Sequence, residues 1–209
     1  MIKLYFSPMA CSAASRIALL EAGAEAELVE VAPRSKTLLA DGSDFRAVNP
    51  LGYVPFLEDG DLRIAENGAI LQYIAARYPE AKLAPTDDVG RASLQRWLSF
   101  IATELHKSLF MPLLDPKAPA AVKEYALAKG APRMAWLEEQ LAGRESLLDA
   151  FSVADAYLVT VLTWTAVVPV TLGPETRRYL EAMRRRPSVA RALREEHALY
   201  LAEQARGAA

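Results

Sequence analysis

The sequence predicts a small α/β domain followed by an all-helical one. Three observations carry that expectation. Short apolar runs alternate with helical patterns as far as Pro79, the strand-like runs then stop, and later segments repeat their apolar residues at helical spacing. Ile2–Phe6 reads as the first strand, and 12–22 as a helix ended by Gly23, a residue suited to a C-cap. The run 27–31 reads as a second strand, after which comes a polar, irregular stretch containing Arg34, Lys36, Asp41 and Gly42. The segments 54–58 and 62–64 flank Asp59-Gly60, a two-residue hairpin signal. Residues 67–78 read as a helix with Ile70, Leu71, Ile74 and Ala75 on one face, stopped by Pro79. A βαβ unit implies a parallel strand pair, to which the hairpin adds an antiparallel edge.

Beyond Pro79 the pattern is helical: 89–114, with Leu94, Trp97, Leu98, Ile101 and Leu105 on one stripe, then Ala120–Leu141, 153–168, 175–186 and 188–203. The helix from Val153 is apolar on nearly every side, as expected at the centre of a domain. Ser152-Val-Ala-Asp155 reads as its cap, with Ser152 at the N-cap and Asp155 as a shortened capping-box acceptor. Asp155 is thus read as structural, because a buried helix start must satisfy its N–H groups. The expected division is 1–80, a linker over 81–88 with Pro85, Thr86, Asp87 and Asp88, and 89–209. Domains of about 80 and about 120 residues are ordinary sizes.

Composition narrows the function classes. A chain of 209 residues with 52% hydrophobic and 24% charged residues can bury a core and is unlike a disordered one. A net charge of −2 supplies no field for nucleic acid. The Arg184-Arg185-Arg186 run lies among Glu181, Glu195 and Glu196 and reads as a solvated face. The longest apolar stretch, 156–170, falls short of the roughly 20 residues a membrane helix needs and contains three threonines and Pro169. A single cysteine excludes an internal disulfide and a dithiol motif and agrees with a reducing compartment. No secretory signal is visible at the start, so a cytoplasmic protein is expected, with neither a membrane nor a nucleic-acid partner.

That cysteine, Cys11, falls between the first strand and the first helix. A thiol there meets the positive end of the helix dipole and open N–H groups, which favour thiolate; the plain alternative is a small buried hydrophobe. Two more features converge on the same end of the sheet. Gly52-Tyr53-Val54-Pro55 places a proline at a strand entry, where a cis bond would leave the Val54 backbone open to an extended peptide. Glu66-Asn67 opens the next helix, whose N-terminus suits a carboxylate, although Asn67 can equally be a plain N-cap. Together they would bind a short anionic peptide bearing a thiol, which is the form of glutathione. His106, one of two histidines, lies one helical turn from Thr103 and Phe110. It reads either as a packed histidine or as a group titrating near neutral pH that helps hold a thiolate.

The segments Met1-Ile-Lys-Leu-Tyr-Phe-Ser-Pro-Met-Ala-Cys-Ser-Ala-Ala-Ser, Asn49-Pro-Leu-Gly-Tyr-Val-Pro, Glu66-Asn-Gly-Ala-Ile-Leu-Gln-Tyr-Ile and Ser152-Val-Ala-Asp-Ala-Tyr resemble the cytosolic glutathione transferases. Ala10-Cys11-Ser12 and Ile101-Ala-Thr-Glu-Leu-His-Lys107 resemble the bacterial beta class in particular. The resemblance spans essentially the whole chain. It implies a thioredoxin-like first domain with a cis Pro55, a helical second domain, a homodimer, glutathione as co-substrate and no metal. On the matching positions it implies Cys11 and His106 at the glutathione sulfur and Val54 with Pro55 pairing its backbone. It also implies Glu66 and Asn67 at the γ-glutamyl end, Lys36 (or Arg34) at the glycine carboxylate, and Thr103 and Glu104 lining the site. Asn67 stands where the family usually has Ser or Thr, and Ser99 replaces a longer amide side chain.

The implied reaction is attack of the glutathione thiolate on a small, mostly apolar electrophile held in an inter-domain cleft against Phe110, Met111 and Trp164. Those three residues fit core packing equally well. Other readings stay open at this level. Cys11 could itself be the nucleophile of a thiol transferase or disulfide reductase. Tyr5, Ser7 or Ser12 could be the thiolate donor, or the fold could be a non-catalytic ligand binder or scaffold.

Overall fold

The computed structural model describes residues 1–207 and resolves into two compact units. One comprises Met1–Leu83 together with the segment from Pro187, and the other spans 84–186. The sequence assigned everything after 88 to the helical domain. The structure groups the last helix with the sheet instead, because that helix packs on the first one.

The sheet unit runs β1 (Ile2–Phe6), α1 (Ser12–Glu21), β2 (Ala26–Glu30), β3 (Phe56–Asp59), β4 (Leu62–Ala65) and α2 (Asn67–Arg77). Strand order is β2-β1-β3-β4, with β1 parallel to β2 and the other pairs antiparallel. Leu4 aligns with Leu28 and Leu57, and Leu57 with Ile64. Tyr5 aligns with Val29 and Phe56 on the opposite face. That second face is roofed by the irregular 32–55 stretch, whose Phe45 packs at 5.3 Å from the Tyr5 ring and 6.5 Å from Phe56. The hairpin loop is Gly60-Asp61, one residue later than the sequence suggested, since Asp59 still pairs with Leu62.

Helix α1 begins Ser-Ala-Ala-Ser, and every residue from Ser12 to Leu19 is buried. Small side chains allow that, because both α2 and the C-terminal helix lie against it. It ends in a Schellman arrangement: Ala24 N–H bonds Leu19 O at 2.9 Å and Gly23 N–H bonds Leu20 O at 3.1 Å. Gly23 takes φ +62°, which a side chain would resist.

The last helix, α8 (Pro187–Gly207 once the intervening helices are numbered), brings Glu196 into this unit. Its carboxylate is fully buried, accepting the Met9 N–H at 2.7 Å and facing Arg16 at 3.3 Å. Arg16 also pairs with Glu195. Burial pushes the Glu196 carboxyl up to about 7 despite both partners.

The helical unit holds α3 (Asp88–Phe100), a widened segment over Ile101–Phe110, α4 (Met111–Leu114), α5 (Ala120–Leu141), α6 (Val153–Thr163) and α7 (Pro174–Arg184). The sequence predicted one helix over 89–114. The chain does stay helical, but Ile101–Phe110 is π-wound and Met111 N–H reaches back five residues to His106 O. Pro112 follows directly; in an α-helix its ring would clash with the Ser108 carbonyl, and a wider turn relieves that. Gly130 on α5 has no room for a Cβ because the Leu109 side chain occupies the space, so the two segments lie in close contact.

Helix α6 is buried along its whole length. At its start Asp155 Oδ2 accepts Ser152 N–H at 2.8 Å, while Ser152 Oγ accepts Ala154 N–H at 3.3 Å. Asp155 Oδ1 accepts from Leu147 N–H and the Tyr179 hydroxyl, both at 2.8 Å, so one carboxylate ties α6 to α7 and to the preceding loop. The helix is also shorter than expected, giving way to a 3-10 turn at Trp164–Ala166. Among the described residues no helix is long and apolar enough to cross a membrane.

Two outcomes follow from these buried carboxylates. Asp155→Ala strands four donors, the Leu147 and Ser152 N–H groups and the Tyr179 and Ser152 hydroxyls, and denaturant unfolding should show a loss of about 3 kcal/mol, against about 1 for Ser152→Ala. Glu196 has a folded pKa raised above its unfolded one, so its contribution is greatest below the unfolded value of 4.5 and is lost as pH rises through about 7. Between pH 4.5 and 8, unfolding free energy should therefore fall by up to about 3 kcal/mol more in the wild type than in Glu196→Gln. Parallel curves for the two proteins would refute the assignment.

Candidate functional site

In the sheet unit the turn leaving β1 is held by its own hydroxyls. Ser7 Oγ donates to Val31 O at 2.6 Å, and Ser12 Oγ donates to Ser7 O at 3.2 Å while accepting Ser7 N–H at 3.3 Å. Met9 takes φ +59°, held through its N–H by Glu196. Cys11 then occupies the N-cap of α1, half-buried, with Sγ 3.5 Å from Val54 O. The Val54–Pro55 bond is cis, and β3 begins after it, at Phe56 rather than at 54. Asn49 shapes that approach: its Nδ2 donates to Tyr53 O at 2.8 Å and its Oδ1 accepts Leu51 N–H at 3.3 Å.

Asn67 lies in the same place, but its side chain serves the fold. It is 5% exposed, with Nδ2 donating to Cys11 O at 3.0 Å and Oδ1 accepting from Ser15 Oγ at 2.8 Å. The amide thus bridges α1 and α2 directly behind the thiol, where a carboxylate-binding role was expected of it. The groups left for an anion are the first-turn N–H groups of Asn67 and Gly68, which have no acceptor within α2. Glu66 precedes them, exposed and at φ +69°, a conformation costly for a residue with a Cβ.

A basic corner stands on the 32–55 stretch. Lys36, at φ +60°, holds its ammonium 5.5 Å from the Tyr53 ring centre, and burial with Arg46 nearby lowers its pKa. Arg34 is exposed. Tyr5, considered as a thiolate donor, donates instead to Glu58 at 3.1 Å, and burial with that carboxylate pushes its pKa up to about 12. Ser7 and Ser12 likewise have hydroxyls engaged in the turn.

The remaining candidates belong to the helical unit. His106 is 5% exposed, its Nδ1 is 2.7 Å from the Tyr157 hydroxyl, and its ring centre is 5.0 Å from that of Trp164. Burial, then the Lys107 charge, lowers its pKa to about 4. The imidazole is therefore neutral at pH 7, where the sequence suggested titration near neutrality. Phe110 is fully buried, packed edge-on to Trp164 at 5.7 Å, whereas Met111 is 40% exposed. Thr103 donates to Ser99 O at 3.0 Å, and Glu104 pairs with Arg133 at 2.6 Å. Ser99 Oγ accepts from Gln95 at 3.1 Å.

Sequence reasoning missed four residues of these networks. Glu196 carried no local signal, its partners lying some 180 positions away. Ser15 looked like an ordinary helix residue, and Asn49 was noticed only as part of a motif. Tyr157 could have been found, because a phenol in an otherwise apolar buried helix requires a partner.

The glutathione S-transferase N-terminal domain is matched over residues 1–76. Glutathione S-transferase GstA of Escherichia coli O157:H7 is 40% identical over 201 residues, covering 93% of this chain and 98% of that protein. A sphingomonad glutathione S-transferase solved with glutathione superposes with a TM-score of 0.88 at 40% identity, covering 93% and 98% of the two chains. The beta-class enzyme of Sphingomonas chungbukensis gives a TM-score of 0.87 at 39% identity with the same coverage. Similarity of this extent across both units makes the chain a member of the glutathione S-transferase family, with the bacterial beta class among its structural neighbours.

Proposed function

We propose that the protein is an enzyme conjugating glutathione to small, mostly apolar electrophiles, in line with the relatives named for that activity. The observation that carries this is the convergence, within the sheet unit, of Cys11, the Val54 backbone and the start of α2, tied together by the Asn67–Cys11 bond. A γ-glutamyl carboxylate would take the open N–H groups of Asn67 and Gly68, with Glu66 beside the amino group. The peptide backbone would pair with Val54 next to Pro55, and the glycine carboxylate would meet Lys36 in preference to Arg34.

Chemically, the site must hold the glutathione sulfur as thiolate. Each pKa unit removed from a thiol corresponds to about 1.4 kcal/mol of thiolate stabilisation. Within the sheet unit the N-terminus of α1 and Cys11 would supply it; the family resemblance assigns His106, Thr103 and Glu104 of the helical unit to the same task. The thiolate pair then forms a carbon–sulfur bond and the leaving group departs with the displaced pair. Met111 and Trp164, backed by Phe110, would contact the electrophile. A cytoplasmic, homodimeric detoxification enzyme is the setting this reading implies.

Two measurements test it. In Cys11→Ala, conjugation of a generic aromatic electrophile should persist within about tenfold, because helix-end N–H groups and His106 remain. Loss of conjugation together with disulfide exchange would instead make Cys11 the covalent nucleophile. Lys36→Ala should raise KM for glutathione about tenfold with kcat nearly unchanged, the mark of uniform ground- and transition-state binding. If Arg34→Ala does this and Lys36→Ala does not, the glycine end is misassigned.

A further inference from the structure

We propose that Tyr157 is a positioning residue for His106, donating its hydroxyl proton to Nδ1 and so holding the ring as the Nε2–H tautomer. His106 is then a fixed neutral hydrogen-bond donor through Nε2–H and not a proton acceptor. This rests on the role given to His106 above.

The geometry supplies a short, sheltered bond: Nδ1 and the hydroxyl oxygen are 2.7 Å apart, and Tyr157 is only 2% exposed. The two rings meet edge to face at 6.0 Å, leaving the hydroxyl at the ring nitrogen and not over the imidazole face. The sense of the bond follows from acidity. A phenol O–H is far more acidic than the N–H of a neutral imidazole, while a bare imidazole nitrogen is the better acceptor. The favoured arrangement is O–H···Nδ1, which leaves the ring proton on Nε2. Trp164 packs on the imidazole with Phe110 edge-on behind it, and both members of the pair are buried, so water has little access to compete. The lowered His106 pKa agrees, because a neutral ring has one donor and one acceptor nitrogen and the acceptor is already taken.

The hydroxyl is fixed because its helix is fixed. Tyr157 stands two residues after Asp155, and the Ser152–Asp155 cap locks the start of α6. Rotation of α6 away from His106 would also have to break the Asp155 bonds to Leu147 and Tyr179. The cap that the sequence marks as structural thereby helps to hold the helix that carries the Tyr157 hydroxyl.

The test is nitrogen NMR on histidine-labelled protein, where only His106 and His197 contribute. In the wild type at pH 7, His106 should appear as a single Nε2–H tautomer. In Tyr157→Phe it should become a tautomer mixture, with kcat for conjugation about tenfold lower and KM for glutathione within twofold. An Nδ1–H tautomer in the wild type, or an unchanged tautomer in Tyr157→Phe, overturns the proposal. The wild-type spectrum decides even where the variant folds poorly. His106→Ala separates the two readings. If it conjugates at the wild-type rate while Tyr157→Phe still shifts the tautomer, the sulfur-donor role of His106 fails and the catalytic part of this proposal fails with it.

Discussion

The turn between β1 and α1 is the constraint on which the sheet unit depends. Five residues must reverse the chain, leave a thiol at a helix start and satisfy their own polar groups in a largely buried setting. No local hydrogen-bond pattern does all of that. The structure recruits Val31 from the neighbouring strand segment, Asn67 from α2 and Glu196 from α8. Each contact is a short bond to a backbone group, so what the turn's own hydroxyls begin is completed by partners from other elements.

This arrangement explains why two polar residues are buried where apolar ones would pack more simply. Asn67 and Glu196 each cost desolvation, and Glu196 is held as a carboxylate only against that cost. What they supply is specificity of geometry. An apolar pair could bring α1, α2 and α8 together, but it could not dictate where the Met9 peptide or the Cys11 carbonyl points. The same logic recurs in the helical unit, where Asp155 gathers three elements on one carboxylate and Glu138 accepts from the N–H groups of Glu175 and Thr176 at the start of α7.

Much was legible from residue order. The strand and helix alternation, the Gly23 stop, the Ser152–Asp155 cap and the mostly apolar, buried α6 are local patterns, and each is visible in the structure. The hairpin slipped by one residue because Asp-Gly signals a turn without fixing which residues complete the ladder. The widening over Ile101–Phe110 was invisible for a related reason. Apolar residues recurring every four or five positions fit an α-helix nearly as well as a π-wound one. Pro112 was the available clue. The side-chain partners of Asn67 were not legible because its sequence neighbours describe a helix start, whereas Ser15 and Cys11 come from another helix.

The sequence by itself determined the class of fold, the order of its elements and the position of a thiol at a helix start. Those properties follow from periodicity and from which residues tolerate turns and caps, and both are read within a few positions of the chain. Only the tertiary structure decided that α8 groups with the sheet, that Tyr5, Ser7 and Ser12 spend their hydroxyls on the fold, and that His106 is neutral. Those outcomes depend on burial and, Ser12 apart, on partners tens of residues or more away. Desolvation and hydrogen-bond satisfaction are properties of a folded environment, and local sequence does not carry them.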